Sequence, residues 1–341
     1  MKFLKNPYRG QGLDLAELEA VPAPSVDAAA ARAVMAEYLP SEVTPLTRVE
    51  AFGVDVWIKD ESGRMGLGSF KALGAAYVIA HMARARGGDR ATALAGETFV
   101  TSSAGNHGLS VAYGAARFGA RAVIYLSQEV PSGFAARLRA QGAEVVIEGA
   151  DYEASMVAAQ RAAEENGWTL LLDTSWEGYT EIPHRLMEGY LAMGAEIVDQ
   201  LTEVPTHVFL QAGVGGLAGA MAAYMRHVWG DAPKIIVVEP NRAAALYGAI
   251  EAGRFVTAEG PASDMGRLDC KEASLIALKG LARDADAFAL ISEEEAFAVL
   301  DELSALGFAT TTSGAAGLAA LAQMTLPEGA RPLCILSEGA G

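Results

Sequence analysis

Cysteine is nearly absent from this 341-residue chain: Cys270 and Cys334 are the only two. So few thiols exclude a disulfide framework and fit a reducing compartment. Basic residues are also short, 26 against 42 acids, giving a formal net charge of −16. That deficit removes the basic patches that nucleic-acid phosphates require and favours solubility. The longest apolar runs are alanine-rich, interrupted and short of a membrane span. The start, MKFLKNPYRG, has charge but no apolar segment behind it, so no secretory signal is expected. Five scattered histidines and two distant cysteines offer no metal-ligand spacing. Together these absences predict a cytoplasmic protein with no membrane partner, no nucleic-acid partner and no metal.

Half of the chain is hydrophobic, and glycine and alanine are abundant, as suits helices packed closely on a sheet. Residues 1 to about 45 hold one expected helix, Ser25 to Tyr38. The stretch TPLTRVEAFGVDVWIKDES then reads as two short strands, with Val54 to Lys59 alternating apolar and polar. Phe70 to Arg86 carries apolar residues at helical spacing. From Phe99 onward apolar strands alternate with helices of ten to fifteen residues, first through AVIYLS and AEVVIEG, then through HVFLQAG, KIIVVEP and PLCILSEG. This alternation predicts an α/β fold with parallel sheets covered on both faces. Two units are expected, a larger one from residues 1–92 and 171–341 and a smaller, mobile one from 93–170. The ligand is expected in the crevice between them.

Four stretches carry chemistry. Lys71, behind Ser69 and Phe70 in KDESGRMGLGSFKALG, is placed for imine formation with an aldehyde. Thr101–Ser102–Ser103–Ala104–Gly105–Asn106–His107–Gly108 joins a strand to a helix. Its hydroxyls and backbone N–H groups suit a carboxylate, and the Asn106 amide can donate to a ring hydroxyl. His107 is expected to pack or to cap. Gly213–Val214–Gly215–Gly216–Leu217–Ala218–Gly219 follows a strand and opens a helix, where glycines let N–H groups converge on a phosphate. It also approximates a dinucleotide loop, with Glu239 as the following acid, which leaves a nicotinamide-dependent dehydrogenase as an alternative. Finally, Ser337 in Leu336–Ser337–Glu338–Gly339 can bond a ring nitrogen. Taken jointly, the four match the contact points of pyridoxal 5′-phosphate.

The order SFK, SAGNHG, GVGGLAG, SEG resembles the fold type II pyridoxal-phosphate enzymes, the tryptophan synthase β and threonine dehydratase group, from Thr44 to the end of the chain. Within it the segments WIKDESGRMGLGSFKALG, DTSWEGYTEIPHRLMEGY and DMGRLDCKEAS look most like the diaminopropionate ammonia-lyases. The resemblance implies two three-layer domains with parallel or mixed sheets and a homodimer. It implies that Lys71 is the Schiff-base lysine and that Asn106 meets the ring hydroxyl. Gly213, Gly215, Gly216, Leu217 and Ala218 then line the phosphate loop, and Ser337 faces the pyridine nitrogen. Ser102, Ser103, Ala104 and Gly105 hold the substrate α-carboxylate, while Asp173 and Tyr179 sit near its distal group.

The implied reaction is elimination of a β-substituent from an L-amino acid, with 2,3-diaminopropionate giving pyruvate and ammonia. An L-threonine, L-serine or hydroxyaspartate-type dehydratase is the alternative. Ala104 stands where enzymes accepting both enantiomers carry an aspartate, and Thr312 stands where a glutamate is usual.

Overall fold

The computed structural model describes residues 1–340; Gly341 lies outside the described residues. Two sheets organise the chain. The seven-stranded one runs, edge to edge, Lys2–Lys5, Ala287–Ile291, Lys234–Pro240, His207–Gln211, Pro332–Leu336, Val54–Asp60 and Leu46–Ala51. Its inner strands are all parallel, and each edge strand runs antiparallel to its neighbour. The four-stranded sheet, in the order Glu144–Ile147, Arg121–Leu126, Thr98–Ser102, Thr169–Leu170, is parallel throughout. Ala287–Ile291, Pro332–Leu336 and Thr98–Ser102 are buried along their whole length. That is why the first two read as unbroken apolar runs rather than alternating ones.

The larger sheet draws its strands from both ends of the chain and the smaller one from 98–170. At the sheet edge, Leu46–Ala51 and Val54–Asp60 are joined through Phe52 and Gly53, both with positive φ (54° and 73°). Such a two-residue turn matches the strand twist.

Several elements depart from expectation for local reasons. The helix expected from Ser25 starts at Ala28, because Asp27 is its N-cap and accepts from Ala30 N at 2.9 Å. The helix expected over Phe70 to Arg86 is split into a 3-10 turn, Phe70–Leu73, and a helix, Ala75–Arg86. Between them Gly74 lies against the Tyr190 ring, where a Cβ would come within 2.9 Å. The strand expected from Trp168 to Leu172 pairs only over Thr169–Leu170. Lys2–Lys5 was hidden by its charges, yet it pairs with Ala287–Ile291.

Helix packing depends on small residues. A Cβ on Gly189, in the helix Glu181–Gln200, would fall 2.1 Å from Leu73 O. That helix therefore reaches the turn carrying Lys71 at backbone contact. No helix among the described residues is long and apolar enough to cross a membrane.

Candidate active site

The turn Phe70–Leu73 is fixed by chain made far later in sequence. Phe70 N donates to Ser337 O at 3.1 Å, and Gly339 N donates to Gly68 O at 3.0 Å. Ser69 forms a β-bridge with Glu338, and the Ser69 hydroxyl accepts from Lys71 N at 3.3 Å. Lys71 and Ser337 are thus brought to one place although the sequence separates them widely. The Lys71 amine pairs with the Asp173 carboxylate, each side chain 22% exposed. Burial opposes charge on both groups, but the opposite charge beside each prevails. Lys71 is held above its ordinary range and Asp173 well below the usual carboxylate range.

Asp173 follows a segment held on three sides. Leu171 N donates to Val100 O at 2.9 Å. The Tyr179 hydroxyl donates to Leu170 O at 2.9 Å and accepts from Leu172 N at 3.0 Å. Tyr179 is itself fixed by stacking on Trp176, centroids 4.4 Å apart. The third contact joins His107 Nε2 to Leu171 O at 2.9 Å. A carbonyl only accepts, so Nε2 carries the hydrogen and the buried Nδ1 is a lone-pair acceptor without a partner among the described residues. Burial lowers the His107 pKa, which keeps the ring neutral.

Across the crevice, the helix Asn106–Arg117 begins at the loop 102–105. The backbone N–H groups of Asn106, His107 and Gly108 find no acceptor among the described residues, as expected for a first helical turn. Ser102 turns its hydroxyl away to Ser155, at 2.8 Å, while the Ser103 hydroxyl accepts from Gly105 N at 3.3 Å. Ala104 packs against the core. Asn106 Nδ2 donates to the Glu338 carboxylate, which also accepts from Thr311 Oγ1 at 2.6 Å.

The glycine loop closes the crevice. Gly215 has φ +97°, a conformation open to glycine, and a Cβ there would meet Ala277 Cβ at 2.9 Å. The helix Gly216–Trp229 begins directly after it, and the N–H groups of Gly216, Leu217 and Ala218 have no acceptor among the described residues. A Cβ on Gly216 would lie 3.9 Å from Asp173 O, so the loop borders the Lys71–Asp173 pair. Gly213 abuts Cys270, whose thiol burial pushes up to about 12.

Glu239 is not placed for a ribose. Its carboxylate is buried and accepts from Leu246 N at 2.8 Å and Tyr247 N at 2.6 Å. Desolvation pushes it up to about 8 despite those donors. The acid of the dinucleotide reading is therefore consumed inside the fold.

Unspent N–H groups at a glycine-walled helix start, with a buried amine in the same crevice, fit a phosphorylated aldehyde. The family model for "Pyridoxal-phosphate dependent enzyme" matches residues 37–338. The chain belongs to that family. It is 36% identical over 249 residues to diaminopropionate ammonia-lyase of Escherichia coli K12, covering 67% of this chain and 63% of that protein. The match therefore spans less than two thirds of that relative's length. A serine dehydratase-like protein of Rattus norvegicus is 32% identical over 238 residues, with 68% and 66% covered. A crystal structure of the E. coli lyase in complex with an aminoacrylate–PLP azomethine reaction intermediate superposes with TM-score 0.87 and 29% identity. It covers 99% of this chain and 93% of that one. The fold is thus that of the fold type II enzymes, with pyridoxal 5′-phosphate as the family cofactor.

Three side chains beside the site had no role in the sequence reading. Glu338 was passed over for its neighbour Ser337. Arg267 and Cys270 lay in DMGRLDCKEAS, a segment read as a family mark without assigned chemistry. Only contact across the crevice distinguishes them from ordinary surface or core residues.

Proposed function

We propose that the protein is a pyridoxal-phosphate-dependent lyase that eliminates the β-substituent of an L-amino acid, with 2,3-diaminopropionate giving pyruvate and ammonia. The observation that carries this reading is the partly buried Lys71–Asp173 pair. Its carboxylate stays anionic across the neutral range and can hold a β-ammonium at the point of departure. Pyridoxal 5′-phosphate, when bound, supplies the electron sink.

The chain's own residues do the rest. Gly213, Gly215, Gly216, Leu217 and Ala218 turn backbone N–H groups to the phosphate. Asn106 would donate to the ring hydroxyl, and Ser337 would face the ring nitrogen. Lys71 provides the amine that anchors the aldehyde and, once displaced, removes the α-proton. Residues Ser102, Ser103, Ala104 and Gly105 seat the α-carboxylate through backbone N–H groups, since the Ser102 hydroxyl is engaged with Ser155. Tyr179 borders the distal pocket and acts through the backbone that carries Asp173.

Ala104 presents no base on the opposite face, so D-isomers are not substrates. The same feature favours the second reading, a dehydratase for L-threonine, L-serine or a hydroxyaspartate. We further propose that the unit 93–170 closes on the unit formed by 1–92 and 171–341, and that the enzyme works as a cytoplasmic homodimer. The test is a visible band near ~410–420 nm, bleached by borohydride, followed by ammonia and oxo-acid assays on β-substituted amino acids. Release from L-2,3-diaminopropionate well above release from L-serine and L-threonine is expected; the reverse order selects the dehydratase.

A further inference from the structure

Arg267 follows the glycine loop in sequence but reaches over to the opposite wall of the crevice. A Cβ on Gly105 would sit 2.9 Å from Arg267 Nη1 and 3.2 Å from Cζ, so the guanidinium lies directly on the loop 102–105. Its own contacts are weak. Glu338 Oε2 is 3.5 Å from Nε, beyond a good hydrogen bond, and the Phe134 ring is 5.8 Å from Cζ. Glu338 does not depend on it, because Asn106 and Thr311 already donate to that carboxylate. The Arg267 side chain, 42% exposed, makes no hydrogen bond among the described residues. Arg267 lines a cavity of about 230 Å³ together with Asn106, Arg137, Thr311, Glu338 and the segment Gly66–Gly68.

We propose that Arg267 is a substrate-binding residue that takes the α-carboxylate of the amino acid between its guanidinium and the free N–H groups of Asn106, His107 and Gly108. The inference rests on the reading of loop 102–105 as the carboxylate seat. Two independent sets of donors converge there: the start of a 12-residue helix and a planar cation with its donors unspent. A guanidinium matches a carboxylate in pairs of parallel bonds, which a lysine ammonium cannot reproduce. A side chain at position 105 would displace the guanidinium, because its Cβ would come within 2.9 Å of Nη1. Glu338 keeps the guanidinium near the loop through an ion pair that leaves the Arg267 N–H groups without a close acceptor.

The experiment compares two amines added to the cofactor-loaded protein: L-2,3-diaminopropionate, and ethylenediamine, which keeps both amines but lacks the carboxylate. Binding is read from the change in the visible band before turnover, by stopped flow. In Arg267→Met the dissociation constant for diaminopropionate rises about tenfold or more, the size of one charge-assisted contact. That for ethylenediamine changes less than about twofold, and Arg267→Lys falls between. Equal shifts for both amines, or none for diaminopropionate, overturn the proposal. If Arg267→Met does not fold, Arg267→Lys carries the same comparison with charge retained. A wild-type protein without the band overturns the cofactor reading and this inference together. A normal band with unchanged preference in Arg267→Met overturns this inference alone.

Discussion

Two lysines twelve positions apart, Lys59 and Lys71, each face a carboxylate in a poorly solvated place, and their surroundings could hardly differ more. Lys59, in the strand Val54–Asp60, has no exposed side-chain surface and donates to Thr44 O, Glu196 Oε2 and Gln200 Oε1 at 2.7–2.9 Å. Arg64 joins the same cluster, with bonds of 2.6–2.9 Å to Glu61, Thr44 and both oxygens of Glu196. Every donor is used. Lys71 has one acceptor among the described residues, Asp173, and opens onto a crevice lined with unspent N–H groups. The saturated cluster ties the edge of the sheet to the helix Glu181–Gln200. The unsaturated pair has capacity left for another molecule. What separates scaffold from chemistry here is above all the number of partners each charge has.

This contrast can be broken by substitution. Lys71→Ala has the largest expected effect: the visible band disappears and turnover falls on the order of 10³-fold or more, measured by absorbance and pyruvate release. Asp173→Asn keeps the band and lowers kcat/KM for diaminopropionate roughly a hundredfold, as for a lost partner of a desolvated charge pair. Its effect on L-serine is smaller, because a neutral leaving group needs no counter-charge. Glu196→Gln does the opposite, costing about 3–5 kcal/mol by leaving Lys59 and Arg64 under-compensated, while the band and the substrate preference stay. Denaturant unfolding of both variants decides the matter. If Asp173→Asn unfolds like Glu196→Gln with its substrate preference intact, the distinction between the two clusters fails.

The smallest effect concerns acid. Burial raises the Glu196 carboxyl, but bonds and charges from Arg64 and Lys59 outweigh it and hold the pKa below the ordinary value of 4.5. A folded pKa below the unfolded one means stability that is present above pH 4.5 and lost as pH falls toward the folded value. Acid unfolding of the wild type should therefore steepen below that point, and Glu196→Gln should flatten the slope. An identical slope in the two proteins would remove Glu196 from the account.

Much of this was legible in the sequence, for identifiable reasons. Parallel strands buried on both faces announce themselves as apolar runs, and glycines before a helix announce a place where backbone must come close. The four stretches proposed to contact the cofactor each lie at such a junction, so local pattern sufficed to single them out as candidates. What pattern could not supply was partnership at long range. Nothing local distinguishes Glu61, Arg64 and Glu196 from exposed charges, since their burial depends on a helix more than a hundred residues away. Ser102 was expected to turn its hydroxyl to a substrate, but Ser155, on another helix, takes it. Glu239 fitted a ribose-binding acid by position and is instead an internal helix cap. The break at Gly74 likewise needed the Tyr190 ring to explain it.

The clasp of Ser337 and Gly339 on Gly68 and Phe70 has a consequence for the order in which the protein is made. During synthesis the lysine turn leaves the ribosome well before the strand that fixes it, Pro332–Leu336. Contacts so distant in sequence close late in folding, because loop-closure entropy must be overcome first. A nascent chain can therefore build its four-stranded sheet while Lys71 still lacks its seat. Cofactor capture therefore waits for that strand, and a loaded site certifies a chain that has been translated through Pro332–Leu336.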